Sequence, residues 1–124
     1  ATRIGHGVRL VDALHDPERR HLVDEAIALG LHLEVCATSN VHTGAARSLA
    51  THPFGAMTAA GLNLSCSTDN RLISRVTLSG ELAALQAHQG LSTATLMAQQ
   101  ADAVRASFLG NDIKAAALAR IAAA

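Results

Sequence analysis

The chain has 124 residues, of which 49% are hydrophobic and 16% charged, so it can bury a core and is not expected to be disordered. Ten basic and ten acidic residues cancel, and this balance gives no reason to expect nucleic acid or an anionic membrane as a partner. No apolar run reaches the roughly 18 residues that a membrane span needs, so the composition predicts one domain, or part of one, with no membrane partner.

The chain opens with a short predicted strand that runs into a histidine between two glycines, Gly5-His6-Gly7. The glycines let the backbone turn sharply and let a ligand approach closely. A helix is predicted next, with Asp16 as its N-cap, Pro17 at its first position and Gly30 at its end. A strand at the very start is unusual for a complete domain, so we expect a segment of a larger fold.

The second strand is predicted at 31–36, and the polar loop Thr38-Ser39-Asn40 follows it. His52-Pro53 looks like the entry to a short helix that ends before Gly61. Three more helices are predicted after the third strand, at about 79–89, 92–108 and 111–123. Because a helix separates every pair of strands, the order predicts parallel strands and an α/β fold.

The third strand, 62–69, alternates apolar and polar side chains with a period of two. In a barrel, the apolar face would pack outward on helices and the polar face would line the interior. The segment ends on Thr68, Asp69 and Asn70, at the end of a strand where α/β barrels keep their chemistry. The alternative is that Asp69 and Asn70 are ordinary loop and helix-cap residues, since both types are common there.

Three strand ends therefore carry polar groups, and parallel strands would place them on one rim. His6 and Asp69 there could serve as base and orienter, or as two parts of a metal site. The alternative for His6 is a structural role, which is commoner for a lone histidine after a strand. No local cluster supplies the three or four ligands that zinc needs. The other histidines that we interpret as scattered surface or loop residues are His15, His21, His32, His42 and His88.

Two cysteines, Cys36 and Cys66, fall within predicted strands. Such positions favour reduced core residues over a disulfide framework. The chain also shows no signal peptide and no initiator methionine. We therefore expect a cytoplasmic protein with two free thiols.

Four motifs occur in order with fitting spacing: Arg3–Gly7, Glu34–Asn40, His52-Pro53 and Ser67–Asn70. Together they resemble the C-terminal part of adenosine deaminases, over nearly the whole chain. The resemblance implies the C-terminal portion of a (β/α)8 TIM barrel, with three parallel strands alternating with helices and a helical C-terminal tail. Residues 1–124 would then form a partial adenosine deaminase-like domain.

The resemblance also implies a zinc-dependent hydrolysis in cytoplasmic purine metabolism. Adenosine or 2′-deoxyadenosine, a small-molecule purine nucleoside, would be deaminated to inosine or 2′-deoxyinosine and ammonia. His6 matches the histidine that orients and electrostatically assists the attacking water. Asp69 matches an aspartate ligand of Zn²⁺, and Asn70 stands where many members have a second aspartate that binds the purine ring.

The sequence departs from the family pattern in three respects. Ala37 replaces a usual proline, and Asn70 replaces an acid. The family's His-x-His pair, third histidine ligand and glutamate have no match here, so the isolated chain is expected to be inactive and to self-associate through exposed barrel edges. Two alternatives stay open: a deaminase of another aminopurine, such as adenine or a modified adenosine nucleotide, and a noncatalytic fragment or interaction module.

Overall fold

Three short parallel strands form a single sheet in the computed structural model, which describes residues 1–123. The strands are β1 (Arg3–Gly5), β2 (His32–Val35) and β3 (Leu64–Cys66), and they lie in the order β1-β2-β3. Both pairings are parallel. Helices lie between successive strands, as parallel connections require. The predicted α/β fold with three parallel strands is confirmed.

Eight helices accompany the sheet within residues 1–123. They are α1 (Leu10–Leu14), α2 (Arg20–Ala28), α3 (Ala37–His42), α4 (Phe54–Ala59), α5 (Arg71–Ser74), α6 (Leu78–Gln89), α7 (Thr93–Ala106) and α8 (Asn111–Ala122). Thr77 and Ser92 begin α6 and α7 by accepting backbone N–H groups with their hydroxyls. Gly90 ends α6 in the left-handed conformation that glycine favours. None of these helices combines the length and apolarity that crossing a bilayer requires.

The core lies between the sheet and the helices that pack around it, both those between the strands and those after β3. Leu33 in the central strand pairs with Ile4 on one side and Leu64 on the other. The largest fully buried apolar side chains are Phe54, Leu33, Met57, Leu64, Leu85 and Leu96. Each such side chain contributes about 1.5–3 kcal/mol through the area it removes from water. The predicted burial of the apolar positions in the third strand is confirmed, because Leu64 and Cys66 are both buried.

The predicted polar loop Thr38-Ser39-Asn40 is wrong, because these residues lie inside α3. The start of α3 is stabilised by hydrogen bonds to a residue that is distant in sequence. The carboxylate of Glu81, on α6, accepts the backbone N–H of Thr38 at 3.0 Å and also its hydroxyl. Ser39 and Asn40 are buried and make their own hydrogen bonds. A partner 43 residues away leaves no local signal in the sequence.

Other local predictions also need correction. Asp16 does accept a backbone N–H, from Glu18 at 3.0 Å, but it caps a turn, and α2 begins only at Arg20. The third strand ends at Cys66, so its polar end lies beyond the sheet. His32 is not a surface residue. It is 1% exposed inside β2, because Asn63 and Ser65 hydrogen-bond both ring nitrogens.

The sheet has two edges within the described residues. β1 and β3 each have one neighbouring strand, and only β2 is paired on both sides. The outer backbone groups of edge strands can pair with another strand. The carboxyl ends of all three strands lie at the same end of the sheet, since the strands are parallel.

Candidate functional site

The polar groups predicted to share one rim do meet at the carboxyl ends of the strands. His6 follows β1, α3 follows β2, and Asp69 stands three residues after β3. The nearest nitrogen–oxygen approach, from His6 Nε2 to Asp69 Oδ2, is 3.9 Å. Both side chains are about two-fifths exposed, with relative accessibilities of 41% and 44%. The pair is therefore preassembled and open to a small ligand.

The backbone at this rim is strained. His6 and Asp69 have φ values of 60° and 54°, which residues other than glycine adopt only uncommonly. Gly7 also has a positive φ, and a Cβ there would lie 3.0 Å from the Leu33 side chain. The amide N–H of His6 is fixed by a hydrogen bond to the carbonyl of Glu34 at 2.9 Å. Strain of this kind persists where surrounding structure enforces it, and it is common at functional sites.

Ser39 holds the Asp69 carboxylate from α3. Its hydroxyl donates to Asp69 Oδ2 at 2.7 Å. This hydrogen bond is the main reason that the pKa of Asp69 lies below its ordinary value, with smaller help from the Asn70 backbone and from His6. Asp69 is thus an anion at neutral pH, as a metal ligand must be.

Cys36 is a third group at the rim that sequence reasoning assigned only to the core. Ligand atoms of His6, Cys36 and Asp69 all lie within 4.8 Å of one another. The thiol is buried and donates weakly to the carbonyl of Glu34, with Sγ and O 3.6 Å apart. Burial raises the pKa of Cys36, and the charge of Asp69 raises it further. The structure thus brings three potential metal ligands together at the rim, and Cys36 is the buried one.

Two buried residues behind His6 also escaped the sequence analysis as site residues. Asn40 Nδ2 lies 3.0 Å from His6 Nδ1, and Asn40 Oδ1 lies 3.1 Å from His52 Nε2. Burial lowers the pKa of His52 to about 4, so its ring is neutral at physiological pH. Both positions fall in the motifs that carry the family resemblance, which was the available signal.

Asn70 is the N-cap of α5. Its Oδ1 accepts the backbone N–H groups of Leu72 and Ile73, both at 3.1 Å. The predicted alternative of a helix-entry cap is therefore present in the structure. The cap uses the oxygen of the amide, whereas a purine acceptor would need the nitrogen. The two functions are compatible, and the purine contact stays a prediction.

A groove of about 700 Å³ runs from the rim along β1 towards α2. Its polar end is formed by His6, Ser39, Asn40 and Asp69, and apolar side chains such as Leu31 form its walls. The apolar walls lie beside β1, whose outer edge is unpaired within the described residues, so only the polar end at the rim is a candidate ligand site.

Three parallel strands with intervening helices and polar groups at their carboxyl ends are the arrangement expected of part of an α/β barrel enzyme. A family model described as Adenosine deaminase matches residues 1–124. The adenosine deaminase of Clostridium botulinum (strain Langeland) is 39% identical over 114 residues, which is 92% of this chain and 32% of that relative.

Solved structures agree with this fold. The adenine deaminase of Arthrobacter aurescens matches with a TM-score of 0.87 at 28% identity, covering 98% of this chain and 36% of that chain. An amidohydrolase of Burkholderia ambifaria, solved with bound Zn, matches with a TM-score of 0.79 at 24% identity, covering 98% of this chain and 33% of that chain.

The chain belongs to the adenosine deaminase family. It spans about a third of the length of the curated relatives that it matches. The predicted family and the predicted partial barrel are confirmed. The roles of His6, Asp69 and Asn70 within that family stay predictions.

Proposed function

We propose that this chain carries part of the active site of a zinc-dependent deaminase that converts adenosine or 2′-deoxyadenosine and water into the inosine product and ammonia. The observation that carries the proposal is the His6–Asp69 pair, 3.9 Å apart at the carboxyl rim of a chain of this family. By "complete enzyme" we mean a polypeptide that holds these residues together with the remaining ligands. The proposed setting is purine metabolism in the cytoplasm.

Asp69 is the metal ligand in this proposal. A carboxylate oxygen is a group that zinc accepts, and the Ser39 hydrogen bond fixes its orientation and keeps it charged. The donor set fits zinc in part: catalytic zinc sites take three protein ligands, and Asp69 is the one that the family resemblance assigns in this chain. The other ligands come from outside residues 1–123. Zinc, when bound, supplies Lewis-acid activation of water.

His6 orients the attacking water and stabilises the negative charge that develops on its oxygen. Its Nε2 lies on the Asp69 side of the ring, at the polar end of the groove. A donor placed at this point acts most strongly in the transition state, which is where stabilisation raises the rate. Its other ring nitrogen is occupied by Asn40.

The substrate is proposed to be a purine nucleoside, with Asn70 Nδ2 donating to a nitrogen of its five-membered ring. The α5 cap holds the amide oxygen and so sets where the nitrogen lies. Free adenine is the second candidate, because the adenine deaminase of Arthrobacter aurescens matches this chain with a TM-score of 0.87. Comparing kcat/KM for adenosine and adenine separates the two.

The test is substitution in the complete enzyme. His6→Ala is expected to lower kcat by about a hundredfold or more, to change KM less and to retain zinc. Asp69→Ala is expected to lose zinc as well as activity. His88→Ala is the matched control, since His88 is exposed on α6 and should leave both unchanged. Near-normal kcat after His6→Ala, or full zinc after Asp69→Ala, would contradict the assigned roles.

The 124 residues expressed alone are expected to bind zinc weakly, to deaminate nothing and to self-associate. One carboxylate ligand is far from a closed zinc site, and β1 and β3 offer unpaired edges within the described residues. Metal analysis and sedimentation velocity measure both properties. A monomer with stoichiometric zinc and adenosine turnover would refute the expectation.

A further inference from the structure

A buried line of hydrogen bonds joins the start of α4 to the imidazole of His6. The backbone N–H of Phe54 donates to His52 Nδ1 at 3.1 Å. His52 Nε2 lies 3.1 Å from Asn40 Oδ1, and Asn40 Nδ2 lies 3.0 Å from His6 Nδ1. His52 and Asn40 are each 3% exposed, so solvent does not replace these contacts.

The first bond fixes the direction of all the others. A backbone N–H can only donate, so His52 Nδ1 accepts and carries no proton. The neutral His52 ring then has its proton on Nε2, which donates to the Asn40 amide. A donor requires the amide oxygen opposite it, which turns the Asn40 NH₂ group towards His6. His6 Nδ1 must therefore accept, and the proton of neutral His6 is on Nε2.

We propose that His52 and Asn40 are positioning residues that hold neutral His6 in the Nε2–H tautomer, with that proton on the side of Asp69. The tautomer follows from the hydrogen bonds alone. Its catalytic consequence rests on the function proposed above. His6 Nε2 lies 3.9 Å from Asp69 Oδ2, so the N–H faces the place where a small ligand would meet the carboxylate.

The tautomer decides what His6 can do for an attacking water. With the proton on Nε2, the ring donates a hydrogen bond and stabilises negative charge on the water oxygen. With the proton on Nδ1, the same ring would present a lone pair to that oxygen. A protonated His52 would break the line, because its Nδ1–H would oppose the N–H of Phe54. The low pKa of His52 is consistent with a ring that stays neutral.

His32 provides an internal reference, because its hydrogen bonds favour the opposite ring tautomer. Its Nδ1 lies 2.8 Å from Asn63 Oδ1, and its Nε2 lies 2.9 Å from the Ser65 hydroxyl. An amide oxygen at Nδ1 requires the proton there, and the hydroxyl then donates to Nε2. His32 is thus expected to be the Nδ1–H tautomer.

Nitrogen NMR of the complete enzyme, labelled with ¹⁵N-histidine and free of metal, tests the assignment directly. At about pH 8, where exposed histidines are neutral, long-range ¹H–¹⁵N spectra distinguish protonated from unprotonated ring nitrogens. Peaks that disappear in the His6→Gln spectrum belong to His6. We expect His6 Nδ1 to be unprotonated and His32 Nδ1 to be protonated. A protonated Nδ1 on neutral His6 overturns the proposal, whatever the variants do.

Two asparagine-to-aspartate changes provide a matched pair. Asn40→Asp replaces the donor facing His6 by a carboxylate, so His6 Nδ1 should become protonated. Asn63→Asp makes the same chemical change beside His32 but keeps an acceptor there, so Nδ1 of His32 should stay protonated and Nδ1 of His6 should stay unprotonated. An unprotonated His6 Nδ1 in folded Asn40→Asp would show that Asn40 does not set the tautomer. If that variant does not fold, the parent spectrum still decides.

Kinetics test the catalytic consequence separately. Asn40→Asp is expected to lower kcat at least about tenfold with KM within about threefold, while Asn63→Asp stays within about twofold of the parent for both. A changed tautomer with unchanged kcat overturns the catalytic part. A parent enzyme that deaminates no purine defeats the proposed function, and the NMR result still confirms or refutes the tautomer.

Discussion

The side chain of Asn70 has an oxygen end and a nitrogen end, and two substitutions separate what each end does. Oδ1 accepts the N–H groups of Leu72 and Ile73, whereas Nδ2 is the donor proposed for the purine. Asn70→Ser keeps an N-cap oxygen and removes the amide donor, since serine is also a strong N-cap residue. Asn70→Leu removes both functions.

The structure sets the expected size of each loss. Removing an N-cap costs about 0.5–2 kcal/mol, and the low end applies here because α5 has only four residues and none of them is buried. Removing the donor leaves a purine nitrogen without its partner, which costs about 1–3 kcal/mol of transition-state binding. That range corresponds to a loss of about 5- to 150-fold in kcat/KM.

The assay measures kcat/KM in the complete enzyme for adenosine and for an analogue with carbon in place of that ring nitrogen. The parent is expected to use the analogue poorly. Asn70→Ser should lose activity on adenosine, lose little more on the analogue and unfold at the same denaturant concentration as the parent. Asn70→Leu should lose stability as well. Losses that add fully on the analogue, or a serine variant with unchanged discrimination, would refute the purine contact.

Three further predictions concern the supports of the rim. The buried carboxylate of Glu81 accepts hydrogen bonds from Thr38, and Glu81→Gln replaces one of its two acceptor oxygens by a donor. This variant should lower the free energy of unfolding in urea by about 1–3 kcal/mol, and an unchanged unfolding midpoint would contradict the prediction. Gly7→Ala should destabilise more than Gly30→Ala, because both have positive φ but only Gly7 lacks room for a Cβ, and equal thermal shifts would argue against that difference. The folded pKa of His52 is about 4, below its unfolded value near 6.5, so protonation favours the unfolded state. The contribution of neutral His52 to the free energy of unfolding is therefore present above pH 6.5 and lost as the pH falls towards 4. Urea titrations should show that the free energy of unfolding of the parent falls by about 3 kcal/mol between pH 6.5 and pH 4 because of His52, and that this decrease is missing from His52→Gln.

The sequence was informative wherever a feature was local. Alternation along the third strand and the glycines around His6 were enough to predict strands that end in polar groups on one rim. The family resemblance then supplied the barrel. Boundaries were less accurate, because capping at Asp16 precedes a turn before the helix proper.

The supports of the site could not be predicted because their partners are distant in sequence. Asn40 and His6 are 34 residues apart, and Thr38 and Glu81 are 43 apart. A polar triplet such as Thr38-Ser39-Asn40 is typical of loops, and only tertiary hydrogen bonds explain why it forms helix and is largely buried. The prediction that His32 is a surface or loop residue was wrong for the same reason, since its two hydrogen-bond partners lie on the neighbouring strand segment.

The two unpaired thiols can serve as built-in reporters of how the protein opens. Burial raises the pKa of Cys66 to about 12, so only about one thiol in 10⁵ is ionised at neutral pH. Alkylating reagents attack the thiolate, and Cys66 should be modified only when β3 separates from the sheet. Cys36 stands at the rim beside Asp69 and should become reactive in smaller openings that expose the site alone. Comparing the alkylation rates of Cys36 and Cys66 would therefore show whether the rim opens more often than the sheet unfolds.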